Sequence, residues 1–168
     1  MAIRRIRQLG DPILREVSVA ACPAGATLDD LRDTLHEFQR THGFGRGISA
    51  VQIGVAKRLI YIEFEGRALC LANPIYEFQS AETFRLWDDC FSFPDLLVYL
   101  ERAETVSIRY ADENGTIQTL TATGALSELL QHEMDHLDGV LAVDRALDGN
   151  SLATREEWMR SHSNRPQA

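Results

Sequence analysis

The chain has 168 residues, enough for one domain that buries about 70% of the surface its unfolded form exposes. With 45% hydrophobic and 25% charged residues the composition is that of an ordinary globular protein, and the net charge of −8 speaks against a nucleic-acid backbone or an anionic membrane as main partner. No stretch approaches the roughly 20 consecutive apolar residues of a membrane span.

The N-terminal "MAIRRIRQLGDPILREV" is basic but lacks the apolar core and small-residue cleavage site of a signal peptide. Turn signals at Gly10-Asp11-Pro12, Pro23 and Gly25 mark residues 1–26 as largely irregular. A helix is expected after Thr27 as N-cap, with Asp29 and Asp30 in its first turn and Leu28, Leu31, Leu35 and Phe38 on one face. Gly43 and Gly45 end it. "RLIYIEF" (58–64) and "ALCLANP" (68–74) read as strands of a hairpin around Gly66. "TVSIRY" (105–110) and "TIQTLTA" (116–122) flank the turn "ADENG". A helix over 124–137 follows Thr123 and stops near Gly139. A last helix is expected from Ser151 to about Arg160, with Thr154 and Glu157 as an alternative capping pair, and residues from about 161 to 168 as a frayed tail. Helices at both ends with short antiparallel strands between them indicate an α+β class in one catalytic domain, 1–168, without repeats or linkers. Cys22, Cys70 and Cys90 are odd in number and follow no disulfide spacing, which points to the reducing cytoplasm.

The 124–137 segment carries chemistry. His132 and His136 are four apart and project from one helix face. Glu133 follows the first histidine, where it reaches a water beside a metal without itself being a ligand. A divalent ion acidifies such a water toward pKa ~7, and Glu133 can take its proton and deliver it to a leaving group. The competing reading is a solvated acidic helix with packed histidines. The full His-Glu-x-x-His pattern arises by chance about once in a few hundred chains of this length, which favours the metal. A catalytic site needs a third ligand. Glu156, 20 residues past His136, would make a zinc endopeptidase; Cys90, 42 residues before His132, would supply a thiolate for zinc or ferrous iron. Spacing alone leaves both open. The structural alternatives are an exposed helix charge for Glu156 and a small core residue for Cys90.

Three segments in order, "GRGISAVQ" (45–52), "DDCFS" (88–92) and "QHEMDH" (131–136), resemble the three motifs of the peptide deformylase family, and "DPILR" and "HLDGVL" fit it as well. The resemblance covers nearly the whole chain. It implies antiparallel β-sheets packed around the central metal-binding helix. It implies Cys90, His132 and His136 as ligands of one divalent metal, natively Fe2+ with Zn2+ or Ni2+ also able to bind. Glu133 would be the general base, with the Gln52 amide and the Phe91 backbone N–H as oxyanion donors. The implied reaction releases formate from an N-formyl amine, usually the formylmethionine end of a nascent chain near the ribosome exit region or another small N-formyl substrate. Neither a membrane nor direct nucleic-acid binding is expected. Arg102 falls where the family has a structural arginine, and a buried pair with Asp135 is expected; were both to face water, the pair would contribute only about 0–1 kcal/mol.

The departures from the family concentrate around the substrate. Candidate substrate-binding positions are Gly45, Arg46, Gly47, Leu86, Asp89, Leu97, Glu128 and Leu129. Arg46 and Glu128 stand where apolar residues line the family's methionine pocket, Asp88-Asp89 replaces Glu-Gly, Leu97 replaces an arginine that helps hold the peptide, and Ser49 replaces alanine. Either Arg46 and Glu128 neutralise each other or point outward, or they form a polar specificity site with weakened preference for methionine. A deformylase-like binding protein without catalysis is a further alternative, against which the intact Glu133 argues.

Overall fold

The computed structural model describes residues 2–162. Helices α1 (Ala26–His42), α2 (Gly124–Leu137) and α3 (Arg155–His162) accompany eight strands: β1 (Gly47–Ser49), β2 (Leu59–Phe64), β3 (Arg67–Gln79), β4 (Thr83–Asp89), β5 (Leu96–Ala103), β6 (Thr105–Ala111), β7 (Ile117–Thr123) and β8 (Leu152–Thr154). Two antiparallel sheets form, one of five strands in the order β1-β2-β3-β6-β7 and one of three in the order β4-β5-β8. The α+β expectation holds. Among the described residues no helix is long and apolar enough to cross a membrane.

Local chemistry explains the hairpins. Glu65 and Gly66 both take positive φ (49° and 76°), as a two-residue turn between right-twisted strands requires. In the "ADENG" turn the Asp112 carboxylate accepts the backbone N–H groups of Asn114 and Thr116. Several expected boundaries shift. Helix α1 starts at Ala26 with Gly25 as its N-cap, so Thr27 lies in the first turn. Strand β3 continues past Pro74 to Gln79, because register shifts between Ala72 and Ile75 absorb the proline that cannot donate to the ladder. The expected last helix gives up its start to β8, which pairs with β5, and α3 begins beyond Thr154, whose hydroxyl accepts from Glu157 N–H. Ser161 and His162 belong to α3; the rest of the expected tail lies outside the described residues.

Helix α2 organises the molecule. Leu129, Leu130, Met134 and Leu137 pack against Ile60, Ile62, Leu71, Val106 and Ile108 of the larger sheet. Leu31, Leu35 and Phe38 of α1 close a second core with Ile48 and Leu59, and Cys90 belongs to a third beneath the smaller sheet with Leu14, Val98 and Leu100. Every residue of α2 from Ser127 to Leu137 is buried. A helix buried all round must find a partner for each polar side chain, since an unpaired buried group costs about 1–3 kcal/mol and a charge more. Gln131 meets this by bonding both the N–H and the carbonyl of Ala103, which clamps α2 to the end of β5. Asp135 is held by Arg102, as expected for a buried pair, and also by Arg145 at 2.6 Å.

Candidate active site

Glu128, His132 and Glu133 of α2 line one cleft, and His136 joins His132 there. His132 and His136 present their rings 5.0 Å apart, centre to centre. Cys90 directly follows the last residue of β4, and its Sγ lies 3.2 Å from His136 Nε2. The sulfur and one nitrogen of each ring all lie within 4.8 Å of one another. Tetrahedral coordination at about 2.0–2.3 Å separates ligands by roughly 3.3–3.7 Å, so small adjustments bring these three donors onto one ion. A thiolate with two imidazoles is the donor set of a divalent transition metal. The Asp88 carboxylate takes His132 Nδ1 at 2.9 and 3.0 Å, which leaves Nε2 for the cleft. Asp88, Glu128 and His132 also lie close together, but Asp88 is committed to Arg102 and Glu128 to Arg46. Glu156 is exposed on α3 and takes no part in either cluster, which removes the endopeptidase ligand set.

Charge is arranged tightly. Burial opposes a charged His132, yet Asp88 and Cys90 outweigh it and hold the ring's pKa well above the usual imidazole range. Burial pushes His136 well below that range, reinforced by the neighbouring His132. Asp88 is also buried, but His132 and Arg102 hold its carboxyl down at about 2. Burial raises Glu133 to about 7, against the lowering effects of His132 and of a hydrogen bond from Ser49. Around Glu133 space is short: a Cβ on Gly47 would lie 2.8 Å from its Oε1. The Gln52 amide nitrogen lies 3.6 Å from Cys90 Sγ and 3.3 Å from Ser92 Oγ. The Phe91 ring stacks on Phe38, with centroids 3.8 Å apart, and fills the place of a Gly45 Cβ; at φ +120° that position also demands glycine.

A polypeptide deformylase family model matches residues 3–151, and the motifs above fall within that match. The chain belongs to the polypeptide deformylase family. It is 36% identical over 160 residues to the peptide deformylase of Microchaete diplosiphon, a match covering 91% of this chain and 83% of the relative. It is 35% identical over 153 residues to that of Rhizobium meliloti, covering 86% and 85%. Among solved structures, a Synechococcus elongatus peptide deformylase in complex with actinonin superposes with a TM-score of 0.76 at 34% identity, covering 94% of this chain and 85% of that one. A Legionella pneumophila peptide deformylase superposes at 0.79 with 28% identity, covering 98% and 100%. The family is metal-dependent, and Cys90, His132 and His136 are this member's candidate ligands.

In this deformylase-family chain the cleft encloses roughly 480 Å3 and is lined by the expected Gly45, Arg46, Gly47, Gln52, Asp89, Cys90, Phe91, Glu128, Leu129, His132 and Glu133, together with Phe44. Leu86 and Leu97 do not line it. Leu86 packs on the core beneath the smaller sheet, and Leu97 is buried between Asp89 and Ala153 of the neighbouring strands. Arg46 does pair with Glu128, at 2.6 Å, and donates to the Ala125 carbonyl at 3.2 Å. Asp89 turns to the cleft rim, where Arg155 of α3 holds it at 2.7 Å while lying 4.0 Å over the Phe44 ring. Sequence reasoning missed the roles of Asp88 and Ser49 and the presence of Arg155. The period of two along strands carried a signal for the first two: Asp88 precedes Cys90 by two, and Ser49 follows Gly47 by two.

Proposed function

We propose that the protein hydrolyses N-formyl peptides to formate and a free N-terminal amine, with Cys90, His132 and His136 holding one divalent ion. The observation that carries this reading is the convergence of those three donor atoms within 4.8 Å beside the buried Glu133. When bound, a divalent ion supplies Lewis acidity at the position the three ligands leave open. The chain's own groups do the rest. Glu133 takes the proton of the attacking water and passes it to the departing amine nitrogen. Gln52 Nε2–H and the backbone N–H of Phe91 donate to the oxyanion that develops on the formyl oxygen. The missing Cβ atoms of Gly45 and Gly47 make room in the cleft wall for the Phe91 ring and for Glu133 Oε1.

Ferrous iron is the proposed native metal, with zinc or nickel able to replace it; a sulfur ligand among imidazoles suits all three. An Acinetobacter baumannii neighbour holding Met-Ala-Ser supports a peptide occupant, and the formylated end of a nascent chain emerging from the ribosome is the proposed substrate. Three free cysteines, one exposed, agree with a reducing cytoplasm. The Arg46–Glu128 pair on the cleft wall supports a weakened preference for methionine, because a thioether chain laid against it strips water from charged groups and returns no hydrogen bond.

Formate release from formyl-Met peptides by anaerobically prepared, iron-loaded protein tests the reading. Wild type is expected to turn over, and Glu133→Gln to lose nearly all activity. Equal signals from both, or none from wild type, would refute it; the latter would leave a binding protein of deformylase fold.

A further inference from the structure

The α2 wall of the cleft holds a buried carboxylate with one oxygen unclaimed. The side chain of Glu128 is 5% exposed, and its Oε2 receives Arg46 at 2.6 Å. Its Oε1 receives no protein donor among the described residues, although Glu128 lines the cleft. Arg46 lines the cleft as well, and only two of its N–H groups are engaged among the described residues, by Glu128 and by the Ala125 carbonyl. A guanidinium carries further donors beyond those. Acceptor and donor thus stand side by side, held by their own ion pair. Both lie next to the reacting centre. Glu128 is one turn before His132 on the same face of α2, and one of its carboxylate oxygens lies within 4.8 Å of a His132 ring nitrogen.

We propose that Arg46 and Glu128 select a formylated residue with a carboxamide side chain, whose NH2 donates to Glu128 Oε1 and whose carbonyl accepts from Arg46. The inference rests on the proposed hydrolysis and names the side chain it acts beside. That side chain springs from the atom two bonds beyond the formyl carbon, so a formyl group held at His132 and Glu133 brings it within reach of Glu128. The opposite side of the cleft is its open rim, where Asp89 is 37% exposed and already neutralised by Arg155. The rest of the peptide leaves by that rim, and the first side chain turns inward to the α2 wall. A carboxamide is neutral and carries a donor and an acceptor on one carbon, which matches the paired acceptor and donor of the wall. A carboxylate side chain would set like charge against Glu128, and an ammonium would set it against Arg46. An alkyl or thioether chain would leave both groups dehydrated and unanswered.

Two measurements keep the side-chain assignment apart from the reaction. The first is kcat/KM for formate release from Gln-Ala-Ser, Met-Ala-Ser, Glu-Ala-Ser and Lys-Ala-Ser, each formylated at its α-amine, by iron-loaded wild type and Arg46→Ala. The second is calorimetric binding of the unformylated Gln-Ala-Ser and Met-Ala-Ser to zinc-loaded wild type. Wild type is expected to favour formyl-Gln about 10-fold over the other three, and to bind Gln-Ala-Ser about 10-fold more tightly than Met-Ala-Ser. Arg46→Ala strips Glu128 of its counter-ion, so formyl-Lys should gain about 10-fold relative to formyl-Gln. If wild type releases formate but takes formyl-Met as readily as formyl-Gln, the carboxamide assignment alone falls. An active Arg46→Ala without the gain on formyl-Lys also overturns it, since Glu128 would then not face the side chain. Should Arg46→Ala fail to fold, the wild-type panel decides. If wild type releases no formate from any of the four, the proposed hydrolysis falls, and the two affinities decide whether the wall reads a carboxamide; equal affinities overturn it.

Discussion

Asp88→Asn isolates what a single buried carboxylate does for the metal centre. Asp88 is 3% exposed and accepts from His132 Nδ1 at 2.9 Å and from Arg102 at 3.1 Å. Asparagine keeps the shape and removes the charge. It also offers only one acceptor atom: Asp88 Oδ2 takes both His132 and Arg102 while Oδ1 lies 3.0 Å from the same His132 nitrogen, so in either orientation the NH2 meets His132 Nδ1, donor against donor. Losing the partner that orients a metal-binding histidine lowers metal affinity by about 10- to 100-fold, or about 1.4–2.7 kcal/mol. Arg102 meanwhile keeps Asp135, which it shares with Arg145. The stability loss should therefore stay below the roughly 3–5 kcal/mol of a fully broken buried pair. A loss of about 2 kcal/mol lowers Tm by roughly 4–8 °C at this chain length. Chelator competition on the zinc-loaded protein reads the first effect, and thermal unfolding of the metal-free protein the second. Affinity within twofold of wild type would refute the claim that Asp88 orients His132.

Four further outcomes are expected. Replacing Arg46 and Glu128 together by leucine should raise kcat/KM on formyl-Met peptides about 10-fold relative to formyl-Gln peptides, by giving the thioether an apolar wall; a wild type already strongly selective for formyl-Met, with no gain in the double variant, would sink the polar-wall argument. Cys90→Ser should lose stoichiometric metal in elemental analysis and Glu156→Gln should retain it, since only Cys90 joins the two histidines; the reverse result would restore the endopeptidase ligand set. Gly47→Ala places a Cβ 2.8 Å from Glu133 Oε1 and 3.0 Å from Ile62, so kcat should fall about 100-fold; near-normal turnover would mean Glu133 has room to spare. Burial raises the Cys70 thiol to about 12, so at pH 8 only about one molecule in ten thousand carries the reactive thiolate there. Alkylation followed by peptide mapping should label exposed Cys22 first, with Cys70 rising about tenfold per pH unit; labelling of both at equal rates at pH 8 would contradict the burial.

The relation between chain and structure differs by element. Helix α2 was legible to the residue over 124–137, and the β6–β7 hairpin to within one residue at its ends, because helical spacing and turn chemistry are written in neighbouring residues. Strands β4 and β5 were not, although they carry Asp88 and bring Cys90 to the site. Their mixed pattern, such as "LWDD", reflects one buried polar network and not a clean apolar face. Leu97 shows the same limit: its place where the family has a peptide-holding arginine suggested the cleft, while its pairing with Asp89 and Ala153 buries it.

The sequence by itself determined that two imidazoles and a carboxylate share one helical turn, since that geometry follows from a 3.6-residue repeat and needs no other part of the chain. Only the tertiary structure decided what surrounds them. Cys90 rather than Glu156 reaches the histidines, Asp88 takes His132 Nδ1, Ser49 takes Glu133, and Arg46 covers Glu128. These partners come from β1, β4 and the loops that follow and precede them. Burying α2 on every side leaves its charges no water to turn to, so the pairing was settled by which strands the fold lays against the helix.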